Sequence, residues 1–134
     1  MRYERTRRVK TPGAAESLAE YLAAWQASIV VVSGRAAGSE YALDGACISI
    51  GRGPGVDLEF DDTAMSRAHA SFEFAQGGFR VHDLGSTNGT LLNDAEIKVA
   101  DLKHGDRIRI GEHVFQFVLA ERERAPKTYT LPDA

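Results

Sequence analysis

From Ile29 to Leu119 the chain never runs more than a few residues without a turn signal, and this punctuation constrains its fold most. Ile29-Val30-Val31-Val32 is a β-branched run closed by Ser33-Gly34. Ser39 to Leu43 and Ala46 to Ile50 are two further strand candidates, with Asp44-Gly45 between them as a hairpin signal. Val56 to Phe60 and His69 to Phe74 follow. Gln76-Gly77-Gly78 turns the chain into Phe79 to Leu84. Thr90 to Leu92 leads through Asn93-Asp94 to a weak strand near Ile97. His104-Gly105-Asp106 precedes the alternating run Arg107 to Ile110, and Gly111-Glu112 precedes His113 to Leu119. Short strands at this spacing cannot be drawn out into helices. They close as an all-β sandwich or barrel.

One segment breaks the pattern. Residues 14–27, AAESLAEYLAAWQA, place Leu18, Tyr21, Leu22 and Trp25 on one apolar helical face, with Thr11 as N-cap and Pro12 at the first helical position. That face either covers its own domain or docks another protein. Residues 1–13 read as a basic flexible arm and 120–134 as a polar tail, which leaves 28–119 as the domain.

A chain of 134 residues suits one domain with extensions. Its formal charge of −3 is uneven. Arg2, Arg5, Arg7, Arg8 and Lys10 against Glu4 give the first ten residues +4, so the remainder carries −7. An acidic body argues against a nucleic-acid surface. The single Cys47 lies in an apolar run, where a buried, inert thiol is expected. No run reaches the ~20 apolar residues of a membrane span, and no apolar stretch backs the basic N-terminus. The default location is cytoplasmic, with no membrane partner.

Three turn-rich segments carry the chemistry. They are Gly51-Arg52-Gly53-Pro54-Gly55, Ser66-Arg67-Ala68-His69 and Gly85-Ser86-Thr87-Asn88-Gly89-Thr90. Guanidinium forks, hydroxyls and loop N–H groups together suit a tetrahedral oxyanion. Enzyme signatures are missing. There is no G-x-x-x-x-G-K-[ST] loop, and the glycines at 51, 53 and 55 miss the dinucleotide fingerprint. The histidines at 69, 82, 104 and 113 lack metal-ligand spacing, so neither a metal nor another cofactor is expected. Ser66 and His69 could be read as nucleophile and base, but no orienting acid accompanies them.

Taken together, Gly51-Arg52, Ser66-Arg67-Ala68-His69-Ala70, Asp83-Leu84-Gly85-Ser86-Thr87-Asn88-Gly89-Thr90 and the late Gly105-Asp106 resemble the forkhead-associated (FHA) domain family, over roughly Ser28 to Leu119. The resemblance implies an FHA-like antiparallel sandwich of about eleven strands, preceded by the one helix, that binds phosphothreonine peptides through loops at one end. It implies phosphate contacts from Arg52, Ser66 and Arg67, with Thr87 beside the phosphate or the threonine methyl. Asn88 would hold the ligand backbone. Gly51 and Gly89 would permit the loop geometry, and His69 would brace the loops from within. Simple up-and-down counting places loops 51–56 and 61–67 at opposite ends of the intervening strand, so a shared end is the family's implication only. Val56-Asp57 stands where the family often has asparagine before the aspartate, a difference of loop shape. Asp61 and Asp62 would raise the negative potential near Ser66.

The resulting expectation is a non-catalytic adaptor for phosphothreonine proteins that are substrates of a Ser/Thr kinase. The alternative is an FHA-like scaffold that binds unphosphorylated partners, for example through the helix. Thr130 is followed at the third position by Asp133, and Thr128 by Leu131. Either threonine, once phosphorylated, would make the tail a ligand for self-association.

Overall fold

A computed structural model describes residues 17–122. The helix is shorter than its periodicity suggests. α1 spans Leu18–Ala24 and starts at Ser17. The Ser17 hydroxyl accepts Glu20 N–H, and the Glu20 carboxylate accepts Ser17 N–H in return, a complete capping box. Thr11 and Pro12 lie outside the described residues. At Trp25 the backbone is already extended, so Trp25 to Ala27, expected to be helical, open the first strand. The physical reason is pairing. The β-branched run beyond Ser28 is drawn into a ladder that extends back to Trp25, opposite Glu121.

The strands are β1 Trp25–Ser33, β2 Glu40–Ala42, β3 Cys47–Gly51, β4 Leu58–Glu59, β5 Ala70–Ala75, β6 Gly78–Asp83, β7 Thr90–Leu92, β8 Ala95–Ile97, β9 Val99–Asp101, β10 Arg107–Ile110 and β11 His113–Glu121. They form a six-stranded sheet in the order β2-β1-β11-β10-β7-β8 and a five-stranded sheet in the order β4-β3-β5-β6-β9. The expected eleven-strand sandwich is therefore what forms. Ile29, Val31, Ile108, Ile110, Phe115 and Phe117 face Ile48, Ile50, Phe72, Phe79 and Val81 across the core. Each such buried side chain stabilises by about 1.5–3 kcal/mol before conformational entropy is counted.

Two local expectations change. Asp44-Gly45 does not make a hairpin, because β2 and β3 lie in different sheets. Fully buried Leu43, whose N–H bonds Ala27 O, anchors a corner that crosses between the layers. Cys47 is exposed, not buried. It begins β3, where alternation sends Ile48 and Ile50 inward and Cys47 to the outer face opposite Glu73.

The strand after the glycine loop decides where the loops lie. β4 has only two residues and pairs parallel to β3, with Ile50 opposite Leu58 and Gly51 opposite Glu59. The chain must therefore double back between residues 52 and 57. Asp57 clips that return, its carboxylate accepting from Ser49 N–H and Oγ–H. The exits of β3 and β4 thus share one end. Ala70 opposite Ile50 starts β5 there, and Asp83 opposite Ala70 ends β6 there. All three loops emerge at that end.

The helix sits at the other end. Tyr21 is buried against Phe74 and Phe79, at ring-centroid separations of 5.0 and 5.7 Å. Those phenylalanines lie beside the β5–β6 turn, remote from Ala70 and Asp83. Arg122 donates from Nε to Leu22 O at 2.9 Å, closing the helix C-terminus onto the sheet.

Candidate functional site

One imidazole joins the second loop to the third. His69 is fully buried, and its Nδ1 accepts Ser66 N–H at 3.0 Å. The ring proton therefore sits on Nε2, which donates to Gly89 O at 2.9 Å. One ring ties the second loop to the third.

The first and second loops meet backbone to backbone. Arg52 N–H bonds Ser66 O at 3.0 Å and Gly53 N–H bonds Arg67 O at 3.1 Å. Gly51 permits this approach, since a Cβ there would lie 2.1 Å from Arg67 O. The Arg52 side chain is itself held, its Nε donating to Met65 O at 3.0 Å. Its Nη groups have no protein partner among the described residues.

The second and third loops meet at Ser66. Its Oγ accepts Thr87 N–H at 2.9 Å, which leaves the hydroxyl hydrogen for a ligand. Asn88 donates from Nδ2 to Ala64 O at 2.9 Å. Thr87 and Arg67 are exposed, and Gly89 turns the chain at φ +86°. The structure thus brings Arg52, Ser66, Arg67, Thr87 and Asn88 onto one end of the sandwich, with Gly51, His69 and Gly89 beneath them. A pocket lined by Gly53 to Val56, Arg67 and Ala68 adjoins them, about 260 Å³ in volume.

Two organising residues have roles that the sequence reading did not assign. Asp83 is buried and accepts from the N–H groups of Gly85 and Ser86 and the hydroxyls of Ser86 and Thr90. Ser86 Oγ in turn accepts Gly89 N–H. This carboxylate builds the third loop from beneath. Burial alone would raise its pKa, but the hydrogen bonds from Ser86, Thr90 and Gly85 together outweigh burial and hold it below the usual aspartate value. The sequence signal was Asp83 two residues before Gly85-Ser86, an Asx-turn pattern.

Asp62 is the second. Its carboxylate faces inward, with 5 % relative exposure. It accepts from Ala64 N–H, Glu112 N–H and His113 Nδ1–H. Burial works against its ionisation, yet those bonds, His113 first, depress its pKa. Asp61 is exposed and lies 3.6 Å from the Arg35 guanidinium.

Among the described residues no cluster of His, Cys, Asp and Glu has the makings of a metal site, and no helix is long and apolar enough to cross a membrane.

Comparison with known proteins agrees with this arrangement. The FHA domain profile matches residues 48–111. The glycogen accumulation regulator GarA of Mycolicibacterium smegmatis is 40% identical over 108 residues, covering 81% of this chain and 68% of that protein. The oxoglutarate dehydrogenase inhibitor of Corynebacterium glutamicum is 38% identical over 105 residues, covering 78% and 73%. A solved structure from a structural and functional analysis of phosphothreonine-dependent FHA domain interactions superposes with a TM-score of 0.64 at 30% identity, covering 69% of this chain and 95% of its own. With the loop sequences, the two-sheet sandwich and these relatives in agreement, the chain belongs to the FHA domain family.

Proposed function

We propose that this chain is a phosphothreonine-peptide-binding adaptor that mediates phosphorylation-dependent protein–protein interaction in signalling. The observation that carries the reading is the pairing of Ser66 and Arg52. The Ser66 oxygen is occupied by Thr87 N–H while its hydrogen stays available, and the Arg52 guanidinium is fixed through Nε with its Nη donors unpartnered among the described residues. Donors held this way suit a phosphate dianion. Arg67 adds charge from the same loop. Thr87 stands beside the phosphate or the threonine methyl. Asn88 has its Nδ2 on Ala64 O, so Oδ1 remains to accept a ligand backbone N–H. The partner is a phosphothreonine protein made by a Ser/Thr kinase in the cytoplasm. The regulatory names of GarA and the oxoglutarate dehydrogenase inhibitor fit control of an enzyme through such binding.

The adaptor reading assigns no catalytic residue. His69 cannot serve as base to Ser66, because its Nδ1 accepts Ser66 N–H and its Nε2 faces Gly89 O. The scaffold reading through the helix is weakened by Tyr21, which is buried in its own domain.

Thr128 and Thr130 lie outside the described residues. Self-association through a phosphorylated tail would operate between molecules. β11 runs from the loop end to the helix end, about 30 Å for nine residues. Eight residues from Arg122 to Thr130 reach at most about 26–29 Å.

A pull-down from lysate with and without phosphatase treatment tests the main reading. Partners should be captured only from the untreated sample, and equal capture from both would favour the scaffold.

A further inference from the structure

Arg52 and Asn88 lean on the same turn. Met65 O accepts Arg52 Nε–H and Ala64 O accepts Asn88 Nδ2–H. These adjacent carbonyls belong to the turn Asp62–Met65, closed by Met65 N–H on Asp62 O at 3.0 Å. The turn is in turn tied to the β10–β11 connection. Asp62 Oδ1 accepts Ala64 N–H at 2.9 Å, while Oδ2 accepts Glu112 N–H at 2.8 Å and His113 Nδ1–H at 2.7 Å. Asp62 and His113 are 5 % and 3 % exposed, so water does not compete for these bonds. The His113 ring is wedged edge-on to Phe60, at 4.9 Å between centroids, and beside Phe115.

We propose that Asp62 and His113 are positioning residues for peptide recognition, pinning the turn at residues 62–65 so that its two carbonyls set Arg52 and Asn88. The proposal rests on the reading of this end as the phosphopeptide site. Its physical content is preorganisation. A guanidinium already held through Nε has fewer torsions left to fix when the ligand arrives. The pair touches no ligand and acts through two backbone carbonyls. A pair that only stabilised the sandwich would change the melting temperature and leave Arg52 as it was.

The test begins in the free protein, where it does not depend on what the ligand is. The Arg52 Nε–H should exchange with water more slowly than that of Arg67, whose guanidinium has no protein partner among the described residues. His113→Phe keeps the ring packing and removes the donor. It should speed Arg52 Nε–H exchange and weaken a phosphothreonine peptide by about 3- to 10-fold, the worth of roughly one hydrogen bond. Asp62→Asn, of equal size, should act in the same direction. In an Arg52→Ala background the His113→Phe loss should shrink, because its principal route is gone. Three results would overturn the inference. One is an unprotected Arg52 Nε–H in the wild type, which needs no variant. The second is unchanged exchange and affinity in a folded His113→Phe or Asp62→Asn protein. The third is an equal affinity loss in the Arg52→Ala background. Failure of any phosphopeptide to bind, with Arg52 Nε–H protection intact and sensitive to His113, would instead overturn the ligand assignment.

Discussion

Replacing His69 by alanine tests the idea that one buried ring holds the loops together. The ring bonds Ser66 N–H at 3.0 Å and Gly89 O at 2.9 Å and is fully buried. The variant strands both backbone groups. An unsatisfied buried group costs ~1–3 kcal/mol, so the pair accounts for about 2–6 kcal/mol, and the void adds to it. Against a domain stability of ~5–15 kcal/mol this is a large fraction. For a chain of this size it corresponds to a drop in Tm on the order of 10–25 °C. Because Ser66 and Gly89 sit on different loops, affinity should fall with stability. Differential scanning calorimetry and peptide titration on the same preparation measure both. A His69→Ala protein that melts within a few degrees of wild type would refute the brace. Full stability with lost binding would make His69 a ligand contact instead.

Three further outcomes are expected. Gly51→Ala should lower both stability and affinity, since its Cβ would fall 2.1 Å from Arg67 O, a backbone atom that cannot move without shifting the second loop; chemical denaturation read beside peptide titration checks it. Asp62, Asp83 and Glu73 all have pKa values held below their ordinary ones. A depressed carboxyl stabilises the fold above its unfolded pKa and loses that contribution as pH falls through the folded value, so the urea midpoint should lose these three contributions below pH ~4. A phosphothreonine loses its second proton near pH ~6, so peptide affinity should weaken between pH ~7 and ~5, where those carboxylates remain ionised, and flat affinity there would count against dianion recognition.

The turn punctuation and β-branched runs carried the sandwich because short amphipathic strands can bury their inner faces in few other ways. The three loops were legible as a group because Arg52, Ser66, Arg67, Thr87 and Asn88 fall in turn-rich segments whose combined pattern resembles the FHA family. What was illegible was non-local. Whether Asp44-Gly45 closes a hairpin or turns a corner depends on which sheet receives β3, and no local signal records that. Trp25 fits a helical face as well as a strand, and its pairing with Glu121 decided between them. The parallel setting of β4 on β3 could not be counted from strand lengths, although it brings the exits of β3 and β4 to one end. Asp62 looked like a surface charge because its partner, His113, lies 51 residues away in sequence.

The central claim is that Arg52 and Ser66 together grip a phosphate on threonine. Calorimetric titration with one threonine peptide in phosphorylated and unphosphorylated forms, against wild type, Arg52→Ala and Ser66→Ala, tests it most directly. Binding should require the phosphate, and each variant should lose about 10- to 100-fold in affinity, the worth of a hydrogen bond to a charged group, while its Tm stays near wild type. Equal affinity for the two peptide forms, or undiminished affinity in both variants, would contradict the account.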